Sequence, residues 1–266
     1  MGTRVCLAGA TGWAGSELAR RIALADDLSL VSGVSRTHAG QDLGEVLDVP
    51  GLACPLYAST SDALAQPCDV FVEYTNPSVA KSNILAALDR GVHVVVGTSG
   101  LTESDFTDID SSSRQHKLGV LACGNFALTA VLLQRFATIA ARHIPQWEIV
   151  DYASDAKVDA PSGTARELAA RLAKVASAEL TVPIEETIGE RQARGATLDG
   201  SQVHSVRLPG YVIGAEIIFG MDDQRLTIRH EAGSSARPYV DGALLAIRKV
   251  STLVGLHRGL DSILDV

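Results

Sequence analysis

The run Val5-Cys6-Leu7-Ala8-Gly9-Ala10-Thr11-Gly12-Trp13-Ala14-Gly15 decides how the rest of the chain is read. A short apolar stretch ends in glycines spaced GxxGxxG, and Ser16–Ala25 follows with Leu18, Ile22 and Ala25 at helical spacing. Strand, glycine turn and helix in that order let the backbone approach a pyrophosphate and aim unpaired N–H groups at it. The spacing alone is a weak signal, and a turn serving only packing is the bland reading. Its place directly after a strand and before an amphipathic helix favours a dinucleotide site. Gly9, Thr11, Gly12, Trp13, Ala14 and Gly15 are therefore candidate cofactor contacts.

Outward from this turn, the next strand pattern, Leu28–Val34, runs into Ser35-Arg36-Thr37-His38. In dinucleotide-binding folds an acidic residue at this place binds the ribose 2′-hydroxyl of NAD, whereas Arg accommodates the 2′-phosphate of NADP. No acid is present, so Ser35 and Arg36 point to NADPH, with NADH as the alternative and a solvated loop arginine as the bland one.

Further Val-rich runs, Val70–Glu73, Val92–Val96 and Gly119–Ala122, alternate with helical patterns such as Ser78–Asp89, the rhythm of βαβ units and a parallel sheet. After a helix over Thr129–Ala141 the character changes. Trp147–Tyr152 reads as a strand, Ala160–Thr164 as a turn opening a helix over Ala165–Ser177, and Glu185–Gln202 as a polar stretch. Val203–Leu208, Tyr211–Phe219 and Arg225–His230 then alternate like antiparallel strands, before a last helix over Val240–Leu253. The expected fold is α/β, a Rossmann-like doubly wound parallel sheet with a second α+β domain containing an open mixed sheet. The expected boundaries are 1–124 with 235–266 for the dinucleotide domain and 125–234 for the second.

The chain has 266 residues, 46% hydrophobic and 20% charged, enough for a sizeable core and unlike a disordered or fibrous sequence. A net charge of −8 argues against nucleic acid as a partner. The opening residues lack the pattern of a secretory leader, and Leu118–Leu133 is too short for a span, so a cytoplasmic protein without membrane attachment is expected. Cys6, Cys54, Cys68 and Cys123 show no CxxC spacing and read as buried reduced thiols, and the scattered histidines suggest no metal site.

The most specific string is Lys157-Val158-Asp159-Ala160-Pro161-Ser162-Gly163-Thr164-Ala165. Ser162, Gly163 and Thr164 begin a helix, so their N–H groups and hydroxyls suit a carboxylate, and helix capping by Ser162 is compatible with that. The string resembles the substrate signature of the dihydrodipicolinate (4-hydroxy-tetrahydrodipicolinate) reductases, NAD(P)H-dependent enzymes of lysine and diaminopimelate biosynthesis. Five further blocks occur in the family's order: the glycine turn, Glu73-Tyr74-Thr75-Asn76-Pro77, Gly97-Thr98-Ser99-Gly100, Gly124-Asn125-Phe126, and His204–Gly210 leading to Glu216–Gly220. The resemblance implies nicotinamide and ribose contacts at Tyr74, Thr75, Gly97, Thr98, Asn125 and Phe126, a substrate carboxylate at Ser162, Gly163 and Thr164, and Lys157 as catalytic cation or proton donor. It also implies a homotetramer joined through the open sheets.

Two departures stand out. The family's histidine pair falls on Ala153 and Ser154, which removes the imidazole expected to relay a proton and brings Asp151 and Asp155 near a site meant for a dianion. Arg237 is the best carboxylate clamp, but in a segment one residue longer than the family pattern. Two alternatives therefore stay open: a paralogue reducing a different imine or unsaturated carbonyl, and a non-catalytic NADPH-binding protein.

Overall fold

A computed structural model describes residues 2–264 of the chain. In order, its first elements are β1 (Thr3–Ala8), α1 (Trp13–Ile22), β2 (Leu28–Val34), α2 (Leu43–Leu47), β3 (Leu56–Tyr57), α3 (Thr60–Ala63) and β4 (Val70–Glu73). Next come α4 (Pro77–Leu88), β5 (His93–Val96), α5 (Glu103–His116), β6 (Gly119–Ala122), α6 (Leu128–Ala140), β7 (Gln146–Ala153) and α7 (Gly163–Ala173). The last are β8 (Ala196–Leu198), β9 (Ser201–Arg207), β10 (Ile213–Met221), β11 (Gln224–Ala232), α8 (Val240–Lys249) and β12 (Gly255–Arg258). Two compact units result among the described residues: 2–128 with 236–264, and Thr129–Ser235.

The first unit is a seven-stranded sheet in the order β12-β6-β5-β4-β1-β2-β3, parallel at every pairing. Strands covered on both faces should be apolar throughout, and Val70–Glu73 and Gly119–Ala122 are buried at every position. Phe71, Val94 and Val120 pack with Ile84 and Leu88 of α4 and Ile109 of α5. Strand order reverses at β1, which lies between β2 and β4, so the crevice at the carboxyl ends of β1 and β4 is where such a sheet takes its ligand.

Several elements differ from the sequence expectation. Helix α1 starts at Trp13 and ends at Ile22, because its first turn uses the glycine-rich segment itself. Helix α5, unread in the sequence, is polar nearly throughout and buries Ile109 and Ser113; a capping box between Thr102 and Asp105 starts it. The elements α2, β3 and α3 were likewise not anticipated. The last helix stops at Lys249 and gives way to a 3₁₀ turn and then β12, which adds a parallel strand beside β6. The thiols are free, but Cys68 is half-exposed rather than buried.

The second unit is a five-stranded mixed sheet, β11-β10-β7-β9-β8. Burial along β7 alternates at every residue: Trp147, Ile149, Asp151 and Ala153 point inward. On that face Trp147, Ile149, Ile217 and Phe219 pack with Leu133 and Ala137 of α6 and Leu168 and Leu172 of α7. The antiparallel run expected over 203–230 is corrected in one respect. Strand β7 lies between β9 and β10, pairing parallel with the former and antiparallel with the latter. Helix α7 occupies Gly163–Ala173 rather than 165–177, since Ser162 already caps it, and the polar stretch 185–202 contains β8 and the start of β9. Among the described residues no helix is long and apolar enough to cross a membrane.

Candidate active site

In the first unit the glycine turn is built by exclusion. Gly9 has φ +76°, and a Cβ there would come 2.2 Å from the Tyr74 carbonyl oxygen, so the ends of β1 and β4 approach more closely than any side chain allows. A Cβ on Gly15 would lie 2.0 Å from the Gly9 carbonyl oxygen. Gly12 caps α1 without any side-chain hydrogen bond, and the first turn holds no acid. The first N–H groups of a helix lack intrahelical partners, so those of Trp13, Ala14 and Gly15 remain for an anion, favoured by the positive end of the helix dipole. The Thr11 and Ser35 hydroxyls stand 2.8 Å apart beside this turn, and Arg36 is exposed. Bare backbone and free N–H groups at this turn fit the pyrophosphate of a dinucleotide.

The loops after β4 and β5 are tied by a residue the sequence reading quoted without assigning. Glu73 is completely buried and accepts from the Thr75 N–H at 2.8 Å, Asn83 at 2.8 Å and the Thr98 hydroxyl at 3.3 Å, as well as from the Thr75 hydroxyl. Burial pushes its carboxyl above the usual range against the pull of these hydrogen bonds. Thr75 and Thr98 thus spend their hydroxyls on Glu73. Tyr74 acts as a wedge: a Cβ on Gly97 would lie 2.0 Å from its ring, which meets Phe126 edge-on at 5.9 Å. Asn125 accepts from the Ala127 N–H at 2.8 Å, fixing the turn before α6.

In the second unit Ser162 caps α7 through its hydroxyl, which accepts from the Ala165 N–H at 3.4 Å, and again no acid lies in the first turn. Nothing lies within 4 Å of where a Gly163 Cβ would sit, so the turn opens onto free space. Beneath it is Asp151, completely buried, whose Oδ2 accepts from the Ser162 N–H at 2.8 Å, Ser205 at 3.2 Å and Arg207 at 2.7 Å. Arg207 also donates to the Asp159 carbonyl at 2.8 Å, so one guanidinium holds both sides of the turn. Burial raises the Asp151 carboxyl, but the Ser162 and Arg207 hydrogen bonds outweigh it and hold it below the usual range. This corrects the expected role of Asp151 as an excess charge beside the ligand: it faces inward, paired. Asp155 is exposed and accepts from the Ser154 hydroxyl at 3.1 Å.

Lys157 Nζ lies 2.7 Å from Asp159, which Arg166 also approaches at 3.8 Å. Ala153 is completely buried. Arg237 belongs to the first unit, where it opens the turn before α8, 81% exposed and 3.5 Å from Glu17. The structure therefore gathers Gly9, Thr11, Gly12, Gly15 and Ser35 around one helix terminus and Lys157, Ser162, Gly163 and Thr164 around another. Arg207, Ser205 and Glu73 were missed as organisers because their partners are remote in sequence or their role is internal.

Comparison with known proteins agrees with this geometry. The family model described as "Dihydrodipicolinate reductase, N-terminus" matches residues 3–126, and that described as "Dihydrodipicolinate reductase, C-terminus" matches residues 129–264. A 4-hydroxy-tetrahydrodipicolinate reductase from Desulfitobacterium hafniense is 38% identical over 98% of each chain, and one from Moorella thermoacetica is 37% identical over 98% of each. The dipicolinate-bound dihydrodipicolinate reductase from Paenisporosarcina sp. TG-14 superposes with a TM-score of 0.90 at 31% identity, covering 99% of this chain and 100% of that one. An amine dehydrogenase from Mycobacterium smegmatis shares the fold, with a TM-score of 0.66 at 13% identity over 96% of this chain and 94% of that one. Matched from end to end in both sequence and fold, the chain belongs to the dihydrodipicolinate reductase family.

Proposed function

We propose that the protein is an NADPH-dependent reductase acting on a conjugated cyclic imine dicarboxylate, the 4-hydroxy-tetrahydrodipicolinate reductase reaction. The observation that carries this reading is the α7 terminus: free N–H groups, open space over Gly163, no acid in the first turn and Lys157 in the same loop. The cofactor, when bound, supplies the hydride. Gly9, Gly12 and Gly15 would hold its pyrophosphate, Arg36 its ribose phosphate, and the backbone at Thr75, Gly97 and Thr98 would orient the nicotinamide. In the second unit, Ser162, Gly163 and Thr164 bind a substrate carboxylate. Reduction of a conjugated imine also requires a proton at the other end of the system. Lys157 is the candidate donor of that proton, shared with Asp159 until the substrate carboxylate competes for it. The open face of the five-stranded sheet, with Val150, Val206 and Ile218 half-buried, supports association into a homotetramer.

The test is NADPH oxidation with freshly prepared dihydrodipicolinate. Turnover is expected, with Lys157→Ala lowering kcat and raising KM, and Thr164→Val raising KM alone. A general acid contributes about 10²–10⁴-fold, so an unchanged Lys157→Ala removes Lys157 from the chemistry. A second reading, a paralogue reducing a different imine, is favoured by Ala153, which is buried and carries no proton. It prevails if the wild type and the double variant Ala153→His, Ser154→His both fail on this substrate while still binding NADPH.

A further inference from the structure

Asp159, in the loop between β7 and α7, is held at three points. Its carboxylate meets a cation on each oxygen: Lys157 Nζ lies 2.7 Å from Oδ1 and the Arg166 guanidinium 3.8 Å from Oδ2. Its backbone carbonyl accepts from Arg207 at 2.8 Å, and Arg207 is itself fixed on the buried Asp151 at 2.7 Å. Arg166 is fixed as well, donating to the Pro161 carbonyl. The main chain of Asp159 is thus anchored from the end of β9 and its side chain from the first turn of α7. The Lys157 hydrogen bond holds its carboxyl below the usual range, so it is ionised at neutral pH.

Stability does not account for this arrangement. The side chains of Lys157 and Asp159 are 33% and 39% exposed, and exposed ion pairs contribute little to folding. Orientation does account for it. A free lysine spreads over many rotamers, whereas a proton donor must stand against its acceptor before the reaction begins. Packing cannot restrain Lys157 from its flanks, because Ala156 is exposed and Val158 completely so. Among the described residues Asp159 is its one ion-pair partner. An ammonium carries three N–H donors, so the one spent on Asp159 leaves two for the substrate. We propose that Asp159 is a positioning residue for the reduction: anchored by Arg207 and Arg166, it holds the Lys157 ammonium in place beside the turn that binds the substrate carboxylate. The inference rests on the reading of Lys157 as proton donor and adds to it the residue through which the donor is placed.

The experiment is a double-mutant cycle in steady-state NADPH oxidation with freshly prepared dihydrodipicolinate, using the wild type, Asp159→Asn, Lys157→Ala and the double variant. Both side chains are part-exposed, and asparagine keeps the backbone carbonyl that Arg207 uses, so all four proteins are expected to fold. Asp159→Asn should lower kcat about tenfold, part of the 10²–10⁴-fold that a general acid contributes. KM should stay at or below the wild-type value, since a negative charge is removed from beside an anionic substrate. In the Lys157→Ala background the same substitution should change kcat less than about twofold, because there is no ammonium left to place. An equal loss of kcat in both backgrounds would show that Asp159 does not act through Lys157 and would overturn the assignment. A wild-type kcat for Asp159→Asn, with Lys157→Ala impaired, overturns it too and leaves Lys157 as the donor. If Lys157→Ala keeps full kcat, or the wild type does not turn over, the reading of the donor or of the reaction falls and the assignment falls with it.

Discussion

Two helix N-termini carry the proposed chemistry, and they are made ready for anions in opposite ways. At α1 the site is made by removing side chains: Gly9 and Gly15 let backbone pack on backbone with no room for a Cβ, and no side chain caps the helix. At α7 the site is made by adding them. Ser162 caps, Asp151 holds the Ser162 N–H from below, and Ser205 and Arg207 reach in from β9 to hold Asp151. The first turn is rigid because its neighbours leave it nowhere to go, and the second because a buried charged network fixes it. Rigidity from packing is local and insensitive to pH, whereas rigidity from charge depends on every member of the network being present and ionised.

The most severe way to break this comparison is Arg207→Met. It leaves Asp151 as an unpaired buried charge, expected to cost about 3–5 kcal/mol in urea denaturation. A loss below about 1 kcal/mol would show that α7 does not depend on the pair. Next is Gly9→Ala. Its φ of +76° strains an L side chain by about 1–3 kcal/mol before the Tyr74 carbonyl is displaced, so stability and NADPH affinity should both fall. Equal loss from Gly163→Ala would contradict the asymmetry.

The two buried carboxylates sharpen the comparison through pH. Asp151 has a folded pKa below its unfolded value, so its contribution is present above about pH 4 and is lost as pH falls through the folded value. Glu73 has a folded pKa above its unfolded value, so its contribution is complete below about pH 4 and is lost as pH rises through the folded value. Urea midpoints should therefore show Glu73→Gln gaining on the wild type as pH is raised from about 4 toward 7, and a constant difference would sink the assignment. The smallest expected effect is at Gly163, where free space and a helical position predict that alanine is neutral or stabilising by up to about 1 kcal/mol.

How much of this was legible beforehand follows from the same contrast. The glycine spacing, Arg36 at the end of β2 and the Ser162 cap are local patterns, and each fell where the sequence placed it. Helix α5 was missed because only Phe106 and Ile109 interrupt its polar run, although Thr102 and Asp105 carried a capping signal. Strand β12, Gly255-Leu256-His257-Arg258, has no strand-like alternation and exists because β6 offers it an open edge.

Sequence alone determined the elements whose causes lie within a few residues: the parallel-sheet rhythm, the turn that only glycine permits, and the capped helix that can receive an anion. Tertiary structure decided which charges meet. Asp151 could be read as a carboxylate near a dianion site, but its partner Arg207 is 56 residues away and is delivered by the parallel pairing of β7 with β9. Glu73 needed Thr98 from the loop after β5, and His38 needed the Ser35 and Thr37 hydroxyls folded back toward it. Pattern reports what a short segment prefers; a buried charge is tolerated only through partners that the fold, and not the segment, brings within hydrogen-bond reach.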